Sequence, residues 1–124
     1  MFIARLRNHV IAAAAECGVD RPDIVIPAFT CDATRLYDAL RDIALAEPRT
    51  KLQSESRDEF FVSFVQRTAF WNFPDDIMAE ITALENGGAA LMLSSKARYG
   101  MIDFGVNRRR VKRWLGALET RLTN

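Results

Sequence analysis

The stretch DIMAEITALENGGAALMLSSKAR, residues 76–98, decides the fold of this chain. On both sides of the turn sequence Asn86-Gly87-Gly88, apolar side chains occupy every second position. The alternating residues are Ile77, Ala79, Ile81 and Ala83 before the turn, and Ala89, Leu91 and Leu93 after it. A period of two is typical of a β-strand with one buried face, and an Asn-Gly turn favours a hairpin. The stretch therefore predicts two antiparallel strands joined by a tight turn.

The segments before this hairpin extend the sheet. Residues 58–67, DEFFVSFVQR, alternate in the same way, and residues 50–56, TKLQSES, add a further strand. Their apolar residues on the common face are Phe60, Val62, Phe64 and Leu52. Residues 23–29, DIVIPAF, form a short β-branched run whose proline suits an edge strand better than a central one. These patterns predict about four to five strands, of which four are consecutive.

Three further segments have helical spacing. Residues 1–18 carry apolar residues three and four apart and end at a glycine, which predicts an amphipathic N-terminal helix. A second helix is expected between a cap at Thr30 or Asp32 and a stop at Pro48. A third is expected to begin with Asn107 as its cap. Its apolar stripe consists of Val111, Trp114, Leu115, Leu118 and Leu122.

The order of these elements, α-β-α-β-β-β-β-α, predicts an α+β fold with a single antiparallel β-sheet on which the helices pack. We expect two units, an N-terminal amphipathic helix over residues 1–18 and a single α+β domain over residues 19–124. An isolated helix of this length is marginal in water. We therefore expect the first helix either to pack on the sheet or to pair with its counterpart in a homodimer.

The second face of the predicted sheet is neither fully polar nor fully apolar. Its apolar patch consists of Phe61, Val65, Met78 and Met92. The nearby segment AFWNF, residues 69–73, is a loop that we expect to project Trp71 towards a partner. We expect these five side chains to form a ligand or partner face, because a sizeable exposed apolar patch marks an interaction site.

The composition excludes several kinds of site. A net charge of +1 over 124 residues gives no general attraction for nucleic acid, and no apolar run approaches the ~18 residues that span a bilayer. Cys17, Cys31 and the single histidine, His9, are too few for a zinc site, so we expect no metal and no cofactor. With His9 predicted on a helix, Ser94 and Ser95 have no base in reach. We expect a cytoplasmic protein.

Residues 96–113 concentrate the basic charge, with seven lysines and arginines against one acid, Asp103. A basic helix start at residues 108–113 can bind the phosphates of nucleic acid, another anion or an anionic membrane surface. Long cationic side chains also solvate the outer face of a helix whose other face is core. We favour the solvated face and do not expect nucleic acid to bind.

Within this region, SKARYGMIDFGVNRRR, residues 95–110, resembles the signature of the domain of unknown function 1499 family. The matching positions are Ser95, Arg98, Gly100, Asp103, Phe104, Gly105, Asn107, Arg108 and Arg110. FPDDIMAEI, residues 73–81, is similar to a second family feature, a Phe-x-Asp-Asp strand start that Phe73, Asp75 and Asp76 match. The resemblance implies a family without an established activity.

We interpret the signature chiefly as a structural clamp, with an anion site as the alternative. In the clamp, Arg98 leaves the final strand, Asp103 anchors the turn, and Arg108 returns to Asp75 or Asp76 at the sheet edge. Such a clamp supplies the negative charge that a basic helix start requires, because positive charge there opposes the helix dipole.

The sequence predicts a small binding or interaction module without evident catalytic machinery, and we assign no catalytic residue. The expected partner is a protein or a small hydrophobic or anionic ligand. Two alternatives stay open. One is a small enzyme that uses carboxylate and arginine chemistry around Asp75, Asp76, Arg98 and Asp103. The other is a nucleic-acid or anion-binding protein that uses residues 108–113.

Overall fold

The computed structural model of the chain describes residues 8–99 and 105–123. Six strands and two α-helices follow one another along the chain. They are β1 (His9–Ala13), β2 (Ile24–Val25), α1 (Ala33–Ala46), β3 (Thr50–Ser56), β4 (Phe61–Arg67), β5 (Pro74–Ala83), β6 (Ala89–Ala97) and α2 (Val106–Leu122). Two short 3-10 turns, Ala15–Cys17 and Arg57–Glu59, lie between them.

All six strands belong to one sheet in the order β2-β1-β6-β5-β4-β3. Strands β3 to β6 form an antiparallel meander, and β1 pairs antiparallel with β6. The predicted hairpin is confirmed, since Ile81 of β5 lies opposite Leu91 of β6 and Gly87 in the turn has a φ of 90°. Strand β2 runs parallel to β1 at the sheet edge. The sheet is therefore mixed and has six strands, whereas we expected about four to five antiparallel ones.

Both helices pack on the same face of the sheet, as predicted, and the core lies between the two layers. Helix α1 buries Leu36, Tyr37 and Leu40, and α2 buries Trp114 and Leu118. The sheet supplies Val62, Phe64, Ile77, Ala79, Leu91 and Leu93 from its inner face. The Trp114 and Phe64 rings meet edge to face, with centroids 6.0 Å apart. The period-two residues of the sequence are thus the inner face of the sheet.

The ends of α1 follow the predicted signals. The Asp32 carboxylate accepts a hydrogen bond of 2.8 Å from the Arg35 amide, which is the geometry of an N-cap. The helix ends at Ala46, two residues before Pro48. The start of α2 differs from the prediction. Gly105, at a φ of 81°, stands at the N-cap position, and Asn107 is buried inside the first turn.

The predicted N-terminal helix is wrong where the structure describes it. Residues 9–13 form β1, inserted between β2 and β6, and residues 1–7 lie outside the described residues. The segment VIAAAA, residues 10–15, fits either period, because an uninterrupted run of apolar residues shows neither strand alternation nor helical spacing. Pairing with β6 settles the conformation and buries Val10 and Ala12 in the core, so tertiary context overrides the local helix propensity.

The outer face of the sheet is solvent-facing over much of its area. Phe61, Val65, Met78 and Met92 are all half-buried there, and β1 continues the same face with His9 and Ile11. Since residues 9–13 form a strand, no helix built from them covers this face. Among the described residues, no helix is both long enough and apolar enough to cross a membrane.

Candidate functional site

A cavity of about 610 Å³ opens at the end of the sheet where α1 ends and α2 begins. Six segments meet around it: the connection that follows α1, the end of β4, the loop of residues 68–73, the start of β5, the end of β6 and the first turns of α2. Its lining combines aromatic rings with arginines and two acids, Glu47 and Asp75. We call this cavity the end pocket.

The floor of the end pocket is a buried arginine, Arg110. Its Nη2 donates to Asp75 Oδ2 at 2.8 Å, and its Nη1 donates to Asn107 Oδ1 at 2.7 Å and to Ser95 Oγ at 3.1 Å. Its Nε donates to Oε1 of Gln66. The Ser95 hydroxyl in turn donates to Asn107 Oδ1 at 2.6 Å. The network joins α2 to three neighbouring strands, β4, β5 and β6.

The charged and polar groups of the floor hydrogen-bond to one another. Burial lowers the pKa of the Arg110 guanidinium, and the Asp75 carboxylate opposes that shift. An arginine keeps its proton in proteins, so the buried pair stays ionised. The four hydrogen bonds of Arg110 direct its charge to groups of the protein itself, and recognition of a ligand therefore falls to the walls and the rim.

One side of the rim carries a half-exposed ion pair. Arg113 Nη2 lies 2.6 Å from Glu47 Oε1, and Gln66 Nε2 donates to the same oxygen at 3.0 Å. Although burial alone would raise it, the hydrogen bonds from Arg113 and Gln66 lower the pKa of Glu47 to about 2. Glu47 is thus an anion that the rim already neutralises.

The pocket lining also holds two further arginines, Arg49 and Arg67. Arg49 Nε donates to the Arg67 carbonyl at 3.0 Å, and Arg67 Nη1 donates to the Asn72 carbonyl at 2.9 Å. Neither guanidinium forms an ion pair with any acid in residues 8–99 or 105–123. The positive charge of these two side chains at the pocket rim is therefore not neutralised by an acid among the described residues.

The aromatic wall comes from residues 68–73. The exposed fractions are 84% for Phe70, 67% for Trp71 and 51% for Phe73. The Trp71 and Phe73 rings stack with centroids 6.2 Å apart, and Phe70 meets Trp71 edge to face at 5.0 Å. Three hydrogen bonds hold the loop. The Thr68 amide donates to the Phe73 carbonyl, the Asn72 amide donates to the Thr68 carbonyl, and the Phe73 amide donates to Thr68 Oγ1. The rings therefore stand at the mouth on a fixed turn.

The structure divides the predicted signature residues into two groups. Ser95, Asn107, Arg110 and Asp75 meet at the pocket floor. Arg98 and Asp76 pair on the opposite face of the sheet, with Nη2 and Oδ1 2.6 Å apart. Asp75 and Asp76 thus lie on opposite faces of the sheet, and the two carboxylates form no shared acid–base pair.

The clamp is built differently from the prediction. Arg108 is exposed and forms no ion pair with the described acids, and Arg110 takes the place we gave it at the sheet edge. Gly100, Asp103 and Phe104 lie outside the described residues. Gly105 stands at the N-cap position of α2.

A correction also concerns the histidine. His9 lies on β1 rather than on a helix, and its Nε2 is 3.0 Å from Ser94 Oγ on the outer face. Ser94 stands in a regular strand, paired with Ile11 on one side and Met78 on the other. Its neighbouring amides are engaged in these ladders, so they are not aimed as an oxyanion hole.

Sequence reasoning missed Gln66, Glu47, Arg49 and Arg67 as pocket residues. One signal was available for Gln66, since it follows Val62 and Phe64 at the next inward-facing position of β4 and is polar. A buried polar side chain at a core position requires partners, and Arg110 provides one. The other three lie at element ends, where periodicity carries no information.

Comparison with known proteins gives a family and a fold. Among solved structures, the crystal structure of Ara h 8.0201 is similar to this chain, with a TM-score of 0.57 and 10% sequence identity, over 77% of this chain and 92% of that chain. At this identity the likeness shows the fold alone. No curated protein matches the chain. The family model described as "Protein of unknown function (DUF1499)" matches residues 6–118, and the chain therefore belongs to the DUF1499 family.

Proposed function

We propose that the protein is a non-enzymatic binding module whose end pocket takes a small amphipathic ligand with an aromatic or other apolar body and one anionic group. The observation that carries this proposal is the pairing of aromatic walls with Arg49 and Arg67, two rim cations that no described acid neutralises.

The size and composition of the pocket support a small ligand. Its volume of about 610 Å³ falls within the ~300–1,000 Å³ that small-molecule sites occupy. Such sites are mostly apolar and carry a few placed polar groups. Here the rings of Trp71 and Phe73 offer a flat apolar surface, and the polar groups stand at one side of the mouth.

The rim arginines support the anionic group. A guanidinium offers a planar fork of donors that matches carboxylate, sulfonate or phosphate oxygens. Arg49 and Arg67 each use one donor for a backbone carbonyl, which fixes the side chains at the rim. The remaining donors of these two groups are the ones a ligand anion would meet.

Binding fits the arrangement of carboxylates better than catalysis does. The Asp75 carboxylate is held by the buried Arg110, and Asp76 is held by Arg98 on the far face of the sheet. Each carboxylate is engaged by its own arginine and the two lie on opposite faces of the sheet, so they do not meet at one site as an acid and a base. We also propose a cytoplasmic location, which the free thiols of Cys17 and Cys31 support.

A matched pair of fluorescent probes tests the proposal. We expect the aromatic anion 8-anilinonaphthalene-1-sulfonate to bind the pocket more tightly than the uncharged N-phenyl-1-naphthylamine. The double variant Arg49→Gln/Arg67→Gln should weaken binding of the anion on the order of tenfold and leave the uncharged probe nearly unchanged. Lys51→Gln, an exposed charge on β3, is the matched control and should change neither.

A second variant locates the probes. Val106 lines the pocket at the start of α2, and Val106→Phe places a ring in the cavity, so it should weaken both probes. The proposal is wrong if neither probe binds, or if both bind and Val106→Phe leaves their affinities unchanged. It is also wrong if the anion is insensitive to the loss of both arginines. Thermal unfolding of each variant confirms that the fold is retained.

A further inference from the structure

The large exposed aromatic side chains of the described chain are gathered at one end of the molecule. They are Phe70, Trp71, Phe73 and Tyr99, which we call the aromatic tip. The other large exposed hydrophobic residues, Val25, Leu45 and Leu52, are aliphatic and lie on three different elements. Scattered exposed aliphatic residues are ordinary, whereas a contiguous aromatic patch marks a surface that another phase or molecule covers.

We propose that the aromatic tip and the arginines at its base form a docking surface for an anionic lipid bilayer. The tip would enter the interface between lipid headgroups and hydrocarbon, and the arginines would contact the headgroup phosphates. The inference goes beyond the proposed ligand binding, because docking needs no ligand in the pocket.

The order of side chains along the connection between β4 and β5, from its base to its apex, matches the order of the layers in a membrane surface. Phe70 and Trp71 stand at the apex of residues 68–73 and are the most exposed aromatic side chains of the tip. Arg67, the last residue of β4, is at the base of the same loop, and Arg49 is bonded to its backbone. A bilayer presents an anionic layer over an apolar one, so apolar groups at the apex and cations at the base meet it in the right order.

Charge complementarity extends around the tip. Arg49 and Arg67 line the pocket beside the tip and form no ion pair with the described acids. The two acids that line the pocket, Glu47 and Asp75, are each paired with an arginine. The described residues around the tip thus have an excess of positive charge.

The side chains of the aromatic tip are already ordered in the absence of a bilayer. The stacked rings and the bonds from Thr68 hold the side chains outward, so little conformational freedom is lost when they are covered. A protein partner would have to supply both an apolar socket for two protruding rings and a surrounding set of acids. A fluid anionic bilayer supplies both at any point of its surface, and tryptophan and tyrosine favour that interface.

The experiment uses the full chain and vesicles. The two tryptophans report different environments, because Trp71 is 67% exposed and Trp114 is 1% exposed. With vesicles of phosphatidylcholine containing about 30% phosphatidylglycerol, we expect co-sedimentation and a blue shift of the Trp71 emission. Pure phosphatidylcholine vesicles should bind at least about tenfold more weakly, and raising salt from about 0.1 M to about 1 M should release the protein.

Variants then separate the tip from the rest of the surface. Phe70→Ser/Trp71→Ser should abolish co-sedimentation, and Arg49→Gln/Arg67→Gln should weaken it on anionic vesicles by at least about tenfold. Val25→Ser and Leu45→Ser remove exposed hydrophobic residues elsewhere and should bind like the parent protein. Absence of vesicle binding, or binding that survives loss of the tip, overturns the proposal.

Two further outcomes identify another occupant. If sedimentation velocity without lipid shows a dimer that Phe70→Ser/Trp71→Ser dissociates, the tip is an interface with a second copy and the bilayer proposal is wrong. If Val106→Phe abolishes vesicle binding together with probe binding, lipid enters the pocket as a ligand and the docking surface is wrong. If Val106→Phe loses probe binding and still binds vesicles, membrane docking is supported and is shown to be independent of ligand binding in the pocket.

Discussion

The guanidinium of Arg110 lies 2.8 Å from the carboxylate of Asp75, and the two side chains are only 4% and 3% exposed. The pair joins α2 to β5 beneath the end pocket. Because Ser95, Asn107 and Gln66 accept from three of the other four N–H groups of Arg110, the charge is buried in a polar network rather than in an apolar medium. The family signature thus builds an attachment of the last helix to the sheet.

Breaking this pair should be costly. Arg110→Met leaves the Asp75 carboxylate buried without its cation, and we expect the free energy of unfolding to fall by about 3–5 kcal/mol. Asp75→Leu should cost a similar amount. The double variant should lose much less than the sum, since it removes both charges, and urea denaturation of all four proteins measures the coupling. Additive effects would show that the two side chains act independently.

The pair on the opposite face should behave differently. Arg98 and Asp76 have side-chain exposures of 36% and 38%, so water screens their attraction. Arg98→Ala should therefore lower the midpoint of urea denaturation only slightly, by a small fraction of the change that Arg110→Met causes. Arg108→Ala, which removes an exposed arginine of the same signature, is the control. A loss for Arg98→Ala as large as that for Arg110→Met would contradict this assignment.

Local pattern predicted most of the fold, and the family resemblance named Ser95, Asn107, Arg110 and Asp75 of the floor, but neither predicted the geometry of the floor. The strands of the meander and both helices follow from periods of two and 3.6 that tertiary packing does not override. Strand β1 could not be predicted in this way, because an alanine-rich segment fits either period. Its pairing with β6 joins residues as far apart in sequence as His9 and Lys96.

The roles of the signature arginines could not be assigned either. Arg98, Arg108 and Arg110 are close in sequence, and their burial depends on which side of α2 turns to the sheet. Arg110 precedes the buried Trp114 by four residues, so it lies on the apolar stripe of the helix, whereas Arg108 does not. That spacing and the inward position of Gln66 on β4 were the signals in the sequence.

Acid should weaken the protein through Glu47. The pKa of this carboxyl is lowered from its ordinary 4.5 to about 2. A lowered pKa in the folded state contributes stability that is fully present above about pH 4.5 and is lost as the pH falls towards about 2. We expect a loss on the order of 1–2 kcal/mol across this window, less than the full shift implies, because Arg113 is half-exposed.

Glu47→Gln tests this by removing the titrating group. Its free energy of unfolding, measured by urea denaturation across that pH window, should fall less steeply than that of the parent protein. Arg113→Gln removes one of the hydrogen bonds that lower the pKa of Glu47. It should partly reduce the dependence of the free energy of unfolding on pH in the same window. Equal slopes for Glu47→Gln and the parent protein would show that Glu47 does not titrate with the fold.

Two glycines should respond in opposite directions to the same substitution. A Cβ on Gly88 would lie 2.6 Å from the Phe29 carbonyl oxygen, which belongs to the backbone bridge between Phe29 and Ala89. Gly88→Ala must therefore displace the backbone and should lower the melting temperature. Gly116 lies within α2 with nothing within 4 Å of a Cβ, so Gly116→Ala should stabilise by about 0.5–1 kcal/mol through helix propensity. Differential scanning calorimetry of both variants measures the contrast. A neutral Gly88→Ala would mean that the bridge between Phe29 and Ala89 yields without cost, and the close approach at the hairpin turn would then have no part in stability.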